Sequence, residues 1–146
     1  MFTKIRKFQF SEHRVLATLI GIVYLWFGAL KIFPQLSPAE EIAFDVVRWL
    51  TFGTLPKQIA IYLLGVGEIL IGLALIFFSN RKIVYQIALA HMFCTFLPLF
   101  IFPEKSFVHF PFAFSLVGQY IFKNIIIVGI LLILLNSTSK PEKLFN

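Results

Sequence analysis

The stretch from Ile59 to Phe78 reads IAIYLLGVGEILIGLALIFF, with a single charged side chain, Glu68, and no proline. A bilayer core about 30 Å thick is crossed by about 20 helical residues. The apolar positions run on without the alternation of a barrel strand. At that depth backbone N–H and C=O groups are satisfied only inside a helix. The stretch therefore predicts a transmembrane helix, and working outward gives three more: residues 15–33, 83–102 and 116–135.

The composition agrees. Of 146 residues, 59% are hydrophobic and 14% charged, against about 45–50% and about 25% in soluble domains. A chain this short cannot hide so much apolar surface by folding in water. A soluble enzyme, a disordered tail and a disulfide scaffold are excluded together. The fold expected is all-α: an integral membrane four-helix bundle forming a single domain over 1–146, with a polar tail at 136–146. The net charge is +6, but the basic residues lie mostly outside the apolar runs and no nucleic-acid motif accompanies them. The bilayer, not nucleic acid, is the expected partner. One cysteine, Cys94, excludes an internal dithiol cycle.

Orientation follows from the short loops. Lys4, Arg6, Lys7 and Arg14 precede span one, Arg81 and Lys82 sit between spans two and three, and Lys140 and Lys143 follow span four. The other two loops mix Glu40, Glu41, Asp45, Arg48 and Lys57, and Glu104 with Lys105. Both termini are expected to be cytoplasmic. The first apolar stretch exceeds a signal-peptide core of about 7–15 residues and lacks a cleavage pattern, so it reads as a retained span.

In the first loop, Ser37-Pro38-Ala39-Glu40 reads as an N-cap, a proline at the first helical position and a capping-box glutamate. Ile42, Val46, Trp49 and Leu50 then recur on one face. A short extracytoplasmic amphipathic helix over 38–52 is expected, as a connector or as a lid over a cavity. The loop from Phe102 to Phe114 is rich in aromatics and suits an interfacial belt.

Two stripes of small and polar residues stand out. Ala17, Gly21, Tyr24, Gly28 and Lys31 share a face of span one; Ile61, Gly65, Glu68, Gly72 and Leu75 share one of span two. Glycines let helix backbones approach closely, so spans one and two should be close antiparallel neighbours.

Ionisable residues within a membrane are expensive and face the protein interior. Lys123, Glu68 and His91 lie at similar depth, roughly 10–16 Å from the outer boundary at helical rise. The expected arrangement is a buried Glu68–Lys123 pair with His91 nearby. Gln119, one turn from Lys123, lines the same cavity, and Thr95 shares the face of His91. Tyr24 and Asn124 complete the polar set, while Lys31, near the outer end of its helix, can snorkel. Pro98 frees a carbonyl on span three.

Three readings stay open. The pair is an internal staple of a structural or assembly protein. Or the cluster binds the polar head of a lipophilic redox carrier such as a quinone, with Lys123, His91 and Gln119 as donors and Glu68 or His91 handling protons. Or it couples protons to transport by a small carrier. Glu68, His91 and Cys94 are too few for a structural metal site, which normally takes four ligands, and no metal is expected.

Several segments resemble one family. Tyr24-Leu25-Trp26-Phe27-Gly28-Ala29-Leu30-Lys31-Ile32-Phe33 resembles the first-helix signature of the DoxX-like membrane proteins. Gly67-Glu68-Ile69-Leu70-Ile71-Gly72-Leu73 resembles their second-helix pattern, and His91-Met92-Phe93-Cys94-Thr95-Phe96 with Pro103 their third-helix region. Gly118-Gln119-Tyr120-Ile121-Phe122-Lys123-Asn124 resembles the fourth. The resemblance implies a four-helix bundle in a bacterial cytoplasmic membrane, related to the membrane subunit of a thiosulfate:quinone oxidoreductase and to proteins of oxidative or sulfur stress. By position it singles out Lys31, Glu68, His91, Gln119, Lys123 and Asn124. It also implies a soluble or membrane redox partner subunit to supply electrons, and is compatible with a homo-oligomer.

Overall fold

The computed structural model describes residues 2–33, 36–37 and 39–139, with side chains over 12–33, 36–37 and 39–138. Pro38, the tail from 140 onward with Lys140 and Lys143, and the side chains of Lys4, Arg6 and Lys7 lie outside the described residues.

The chain is mostly helical. α1 covers Phe2–Ile32, α2 Glu40–Leu50, α3 Lys57–Phe77 and α4 Lys82–Phe96. Two single turns follow, α5 at Pro98–Ile101 and α6 at Pro103–Ser106, then strands β1 (Phe107–His109) and β2 (Ala113–Phe114), and last α7 (Leu116–Lys123) and α8 (Ile125–Ser139). Four segments are long and apolar enough to cross a membrane: Glu12–Ile32, Lys57–Phe77, Lys82–Ile101 and Leu116–Thr138. They coincide within a few residues with the stretches expected from the sequence.

α1 and α3 are antiparallel and meet through reciprocal glycines. A Cβ on Gly21 would stand 2.8 Å from the Gly72 carbonyl oxygen, and one on Gly72 2.7 Å from that of Gly21. Gly28 and Gly65 oppose each other in the same way, at 2.8 and 2.9 Å. Only glycine permits this separation. Gly67 and Gly129 have nothing within 4 Å of such a Cβ, so they play no part in close packing.

One core cluster takes side chains from all four long segments: Ala17, Ile20 and Tyr24; Leu75; Val84, Tyr85, Ala88 and Met92; Leu131 and Leu134. A second, smaller cluster joins Ile42 of α2, Leu99 of α5 and Ile121 of α7. It seats α2 and the hairpin segment over one end of the long helices.

Local details depart from expectation. α2 begins at Glu40, with Ala39 rather than Ser37 as its N-cap and no side-chain cap bond. The Ser37 carbonyl instead accepts the Glu40 N–H in a turn, at 3.1 Å. Ile42 and Val46 are buried, whereas Trp49 and Leu50 are exposed. Side chains tie α2 down: Lys57 pairs with Glu41 and, at 3.7 Å, with Glu40, and Lys105 reaches Asp45 at 2.5 Å.

The aromatic loop folds into a hairpin with Phe107 opposite Phe114 and His109 opposite Ala113, its turn containing a cis Phe110-Pro111 bond. The ring of Phe107 stacks on Phe114, and Phe114 stacks on Phe122 of α7. Ser106 is fully buried beneath it and donates to the Pro98 carbonyl at 3.0 Å. The third span breaks at Leu97–Pro98 as proline requires. The Cys94 carbonyl, left without its usual donor, accepts from the Leu97 N–H at 3.2 Å. The fourth breaks at Asn124, whose N–H bonds back to Ile121 rather than a full turn away.

Candidate functional site

The α1 stripe turns Tyr24 and Lys31 toward the protein interior, because both stand at helical steps from Gly21 and Gly28. Opposite them α3 presents Glu68, one turn beyond Gly65. In any α-helix the Cα–Cβ bond tilts toward the N-terminus. In an antiparallel pair this tilts Lys31 toward the helix centre and Glu68 toward Lys31. The lysine Nζ donates to Glu68 Oε2 at 2.7 Å. The two side chains are only 8% and 10% exposed, so this is a buried ion pair.

α4 adds the third component. His91 Nε2 lies 3.5 Å from the other carboxylate oxygen, Oε1, an electrostatic contact longer than a good hydrogen bond. The ring's other nitrogen, Nδ1, is 3.2 Å from the Tyr24 hydroxyl. That hydroxyl also lies 3.1 Å from the Ala88 carbonyl, to which it can donate. Lys31, Glu68, His91 and Tyr24 thus form one continuous series from three spans.

The series supports two proton arrangements. With the imidazole proton on Nε2, the ring faces the carboxylate and Nδ1 accepts from Tyr24. With the proton on Nδ1, the ring donates to Tyr24, whose hydroxyl turns to Ala88. The same heavy-atom positions accommodate either tautomer.

The expected Glu68–Lys123 pair is absent: Lys31, expected to snorkel, is the partner of Glu68 instead. Lys123 is exposed, and its Nζ stands 5.4 Å from the ring centroid of Tyr120. The reason is the face of α7 that carries it: Gly118 and Ile121 are turned inward and buried, Lys123 stands on the opposite, exposed face, and α7 packs against α4, α6 and α8. Gln119 is exposed on the same outward face, away from the buried carboxylate of Glu68. Thr95 donates to the His91 carbonyl at 3.1 Å, which ties it to the backbone of α4 rather than to the carboxylate. Asn124 is half-buried at the α7–α8 break. Of the eight residues singled out from the sequence, the structure brings together Tyr24, Lys31, Glu68 and His91.

A groove of about 390 Å³ opens beside this series, bordered by Lys31, Glu40, Gln58, Ile59, Ile61 and Tyr62. It lies where the end of α1, the start of α2 and the first turns of α3 meet. Glu40, read from the sequence as a capping-box residue, and Gln58 were not expected at a site. Gln58 was detectable, because it extends the α3 stripe one turn before Ile61. Glu40 is brought there by the packing of α2.

Among the described residues no three metal-ligating side chains cluster. Cys94 is a free, half-buried thiol. No family model, curated protein or solved structure matches the chain.

Proposed function

We propose that this chain is a DoxX-like four-helix bundle of a bacterial cytoplasmic membrane, with both termini cytoplasmic. In this reading it is a membrane subunit or accessory protein of a redox system and binds the polar head of a lipophilic carrier such as a quinone. The observation that carries the reading is the buried series Lys31–Glu68–His91–Tyr24, with a groove leading to its lysine.

The residues suit such a head group. A quinone carbonyl needs a donor, and an ammonium has three N–H bonds, of which the Glu68 contact uses one. Glu68 fixes the position of Lys31 and keeps its charge compensated away from water. His91 and Tyr24 provide a protonatable path behind the carboxylate. The apolar border residues Ile59 and Ile61 suit a hydrocarbon tail. When bound, a quinone would supply the two-electron chemistry; the chain's own side chains orient it and hold protons.

The test is retention of endogenous quinone by protein purified in mild detergent. Wild type should co-purify with quinone, and Lys31→Met should lower the occupancy at least severalfold while Lys123→Met does not. Absence of quinone from the wild type, or equal occupancy in all three, would count against the reading.

A second reading has an observation of its own. Among the described residues every buried side-chain nitrogen and oxygen has a partner. A fully satisfied series is also what an internal staple of a structural or assembly protein needs. A staple predicts that the Lys31 variant loses stability and that the protein holds no quinone at all.

A further inference from the structure

The Lys31 series leaves the charge of span four unexplained. Lys123 is the single Lys, Arg, Asp or Glu between Leu116 and Thr138. It lies about 10 Å along the helix from Leu116. With Leu116, Gln119 and Tyr120 it forms one face, at steps of three, one and three. All four are exposed, while Gly118 and Ile121 on the opposite side are buried. Among the described residues no carboxylate pairs with Lys123. Its ammonium is drawn back over Tyr120, toward the end where α2 and the hairpin sit.

We propose that this face of α7 binds the phosphate of a phospholipid from the adjacent leaflet. Three polar side chains share it: the ammonium of Lys123, the phenol of Tyr120 and the carboxamide of Gln119. They offer donors and one positive charge, with no acid among them, which suits a phosphodiester. Beyond the break at Asn124 the outward side chains Ile126 and Ile133 are exposed and apolar, as an acyl chain requires. The helix supplies both halves of an amphiphile's complement, in the order in which a lipid presents them. A bare lysine facing hydrocarbon is costly; one that reaches a phosphate is compensated. The site is separate from the Lys31 groove and stands or falls independently of it.

The experiment is native mass spectrometry on delipidated full-length protein titrated with phosphatidylglycerol. Diacylglycerol with the same chains serves as the phosphate-free control and inorganic phosphate as a competitor. Wild type should bind phosphatidylglycerol about fivefold more tightly than Lys123→Gln, the equivalent of ~1 kcal/mol for one lysine–phosphate contact. Lys123→Arg should retain most of the affinity, and Tyr120→Phe should lose part of it. Diacylglycerol should bind without dependence on Lys123, and inorganic phosphate should not compete. Equal affinities for wild type and Lys123→Gln would overturn the proposal. So would a dimer that dissociates in Lys123→Gln, because a second copy would then cover the face. Thermal melts of each variant check that the exposed substitutions leave the fold intact.

Discussion

Glu68 owes its partner to the faces that the helices turn inward. Depth alone makes Lys31 and Lys123 both candidates. Lys31 belongs to the buried stripe of α1 and, on a helix antiparallel to α3, its Cα–Cβ bond tilts toward Glu68, whereas Lys123 stands on the exposed face of α7. The clue was present in the stripes, where Lys31 follows Gly28 and Glu68 follows Gly65, the two glycines that touch. What the sequence does not display is the rotation of span four about its own axis, which leaves Lys123 and Gln119 outside. Tyr24 is the other residue whose role rests on geometry, through its bonds to Ala88 and His91. Tyr24→Phe should lower unfolding stability in micelles by about 1 kcal/mol, the net value of a typical hydrogen bond. No change at all would mean that the hydroxyl is not engaged there.

Elements join by different means in different parts of the fold. α1 and α3 are held by backbone proximity, so substitutions at their glycines should separate by position. Gly65→Ala and Gly72→Ala place a methyl group against backbone oxygen, and each should cost about 1–3 kcal/mol as an overpacking change. Gly67→Ala meets nothing and should be neutral or stabilise by up to about 1 kcal/mol. Unfolding curves of the three variants check this, and equal losses at all three sites would refute the close crossing. The glycine periodicity made this contact readable in advance. The hairpin was not readable: strands of three and two residues are too short to show a period, and its aromatics resemble an interfacial loop.

α2 is tethered from both sides by charge. Its hydrogen bond with Asp45 holds the Lys105 ammonium above the ordinary lysine range. A raised lysine value means that the tie is fully present below the ordinary range and is lost only as pH rises through the raised one. Amide exchange in α2 should therefore be accelerated by Asp45→Asn at neutral pH. A mildly alkaline shift should leave the wild type unchanged once the intrinsic pH dependence of exchange is removed. Protection that falls before the lysine range is reached would show that Lys105 is not the tether.

For the whole molecule, the four apolar helices follow from run length and hydropathy, which are properties of composition along the chain. The proposed orientation rests on the distribution of basic residues and has a direct check. In a Cys94→Ala background, a cysteine at Lys105 should react with an impermeant thiol reagent applied outside cells, and one at Lys82 should not. The reverse pattern would invert the topology and place the Lys31 groove on the cytoplasmic side.

The central claim is that the charges inside the helices compensate one another through Lys31 and Glu68. A double-mutant cycle in detergent micelles measures this, with Lys31→Met, Glu68→Met and their combination set beside Lys123→Met and its combination with Glu68→Met. The first pair should show a coupling of about 1–3 kcal/mol, with the double variant less destabilised than the sum of the two single changes, and the second should be additive within about 0.5 kcal/mol. Coupling confined to Lys123, or additivity in the Lys31 cycle, would contradict the account.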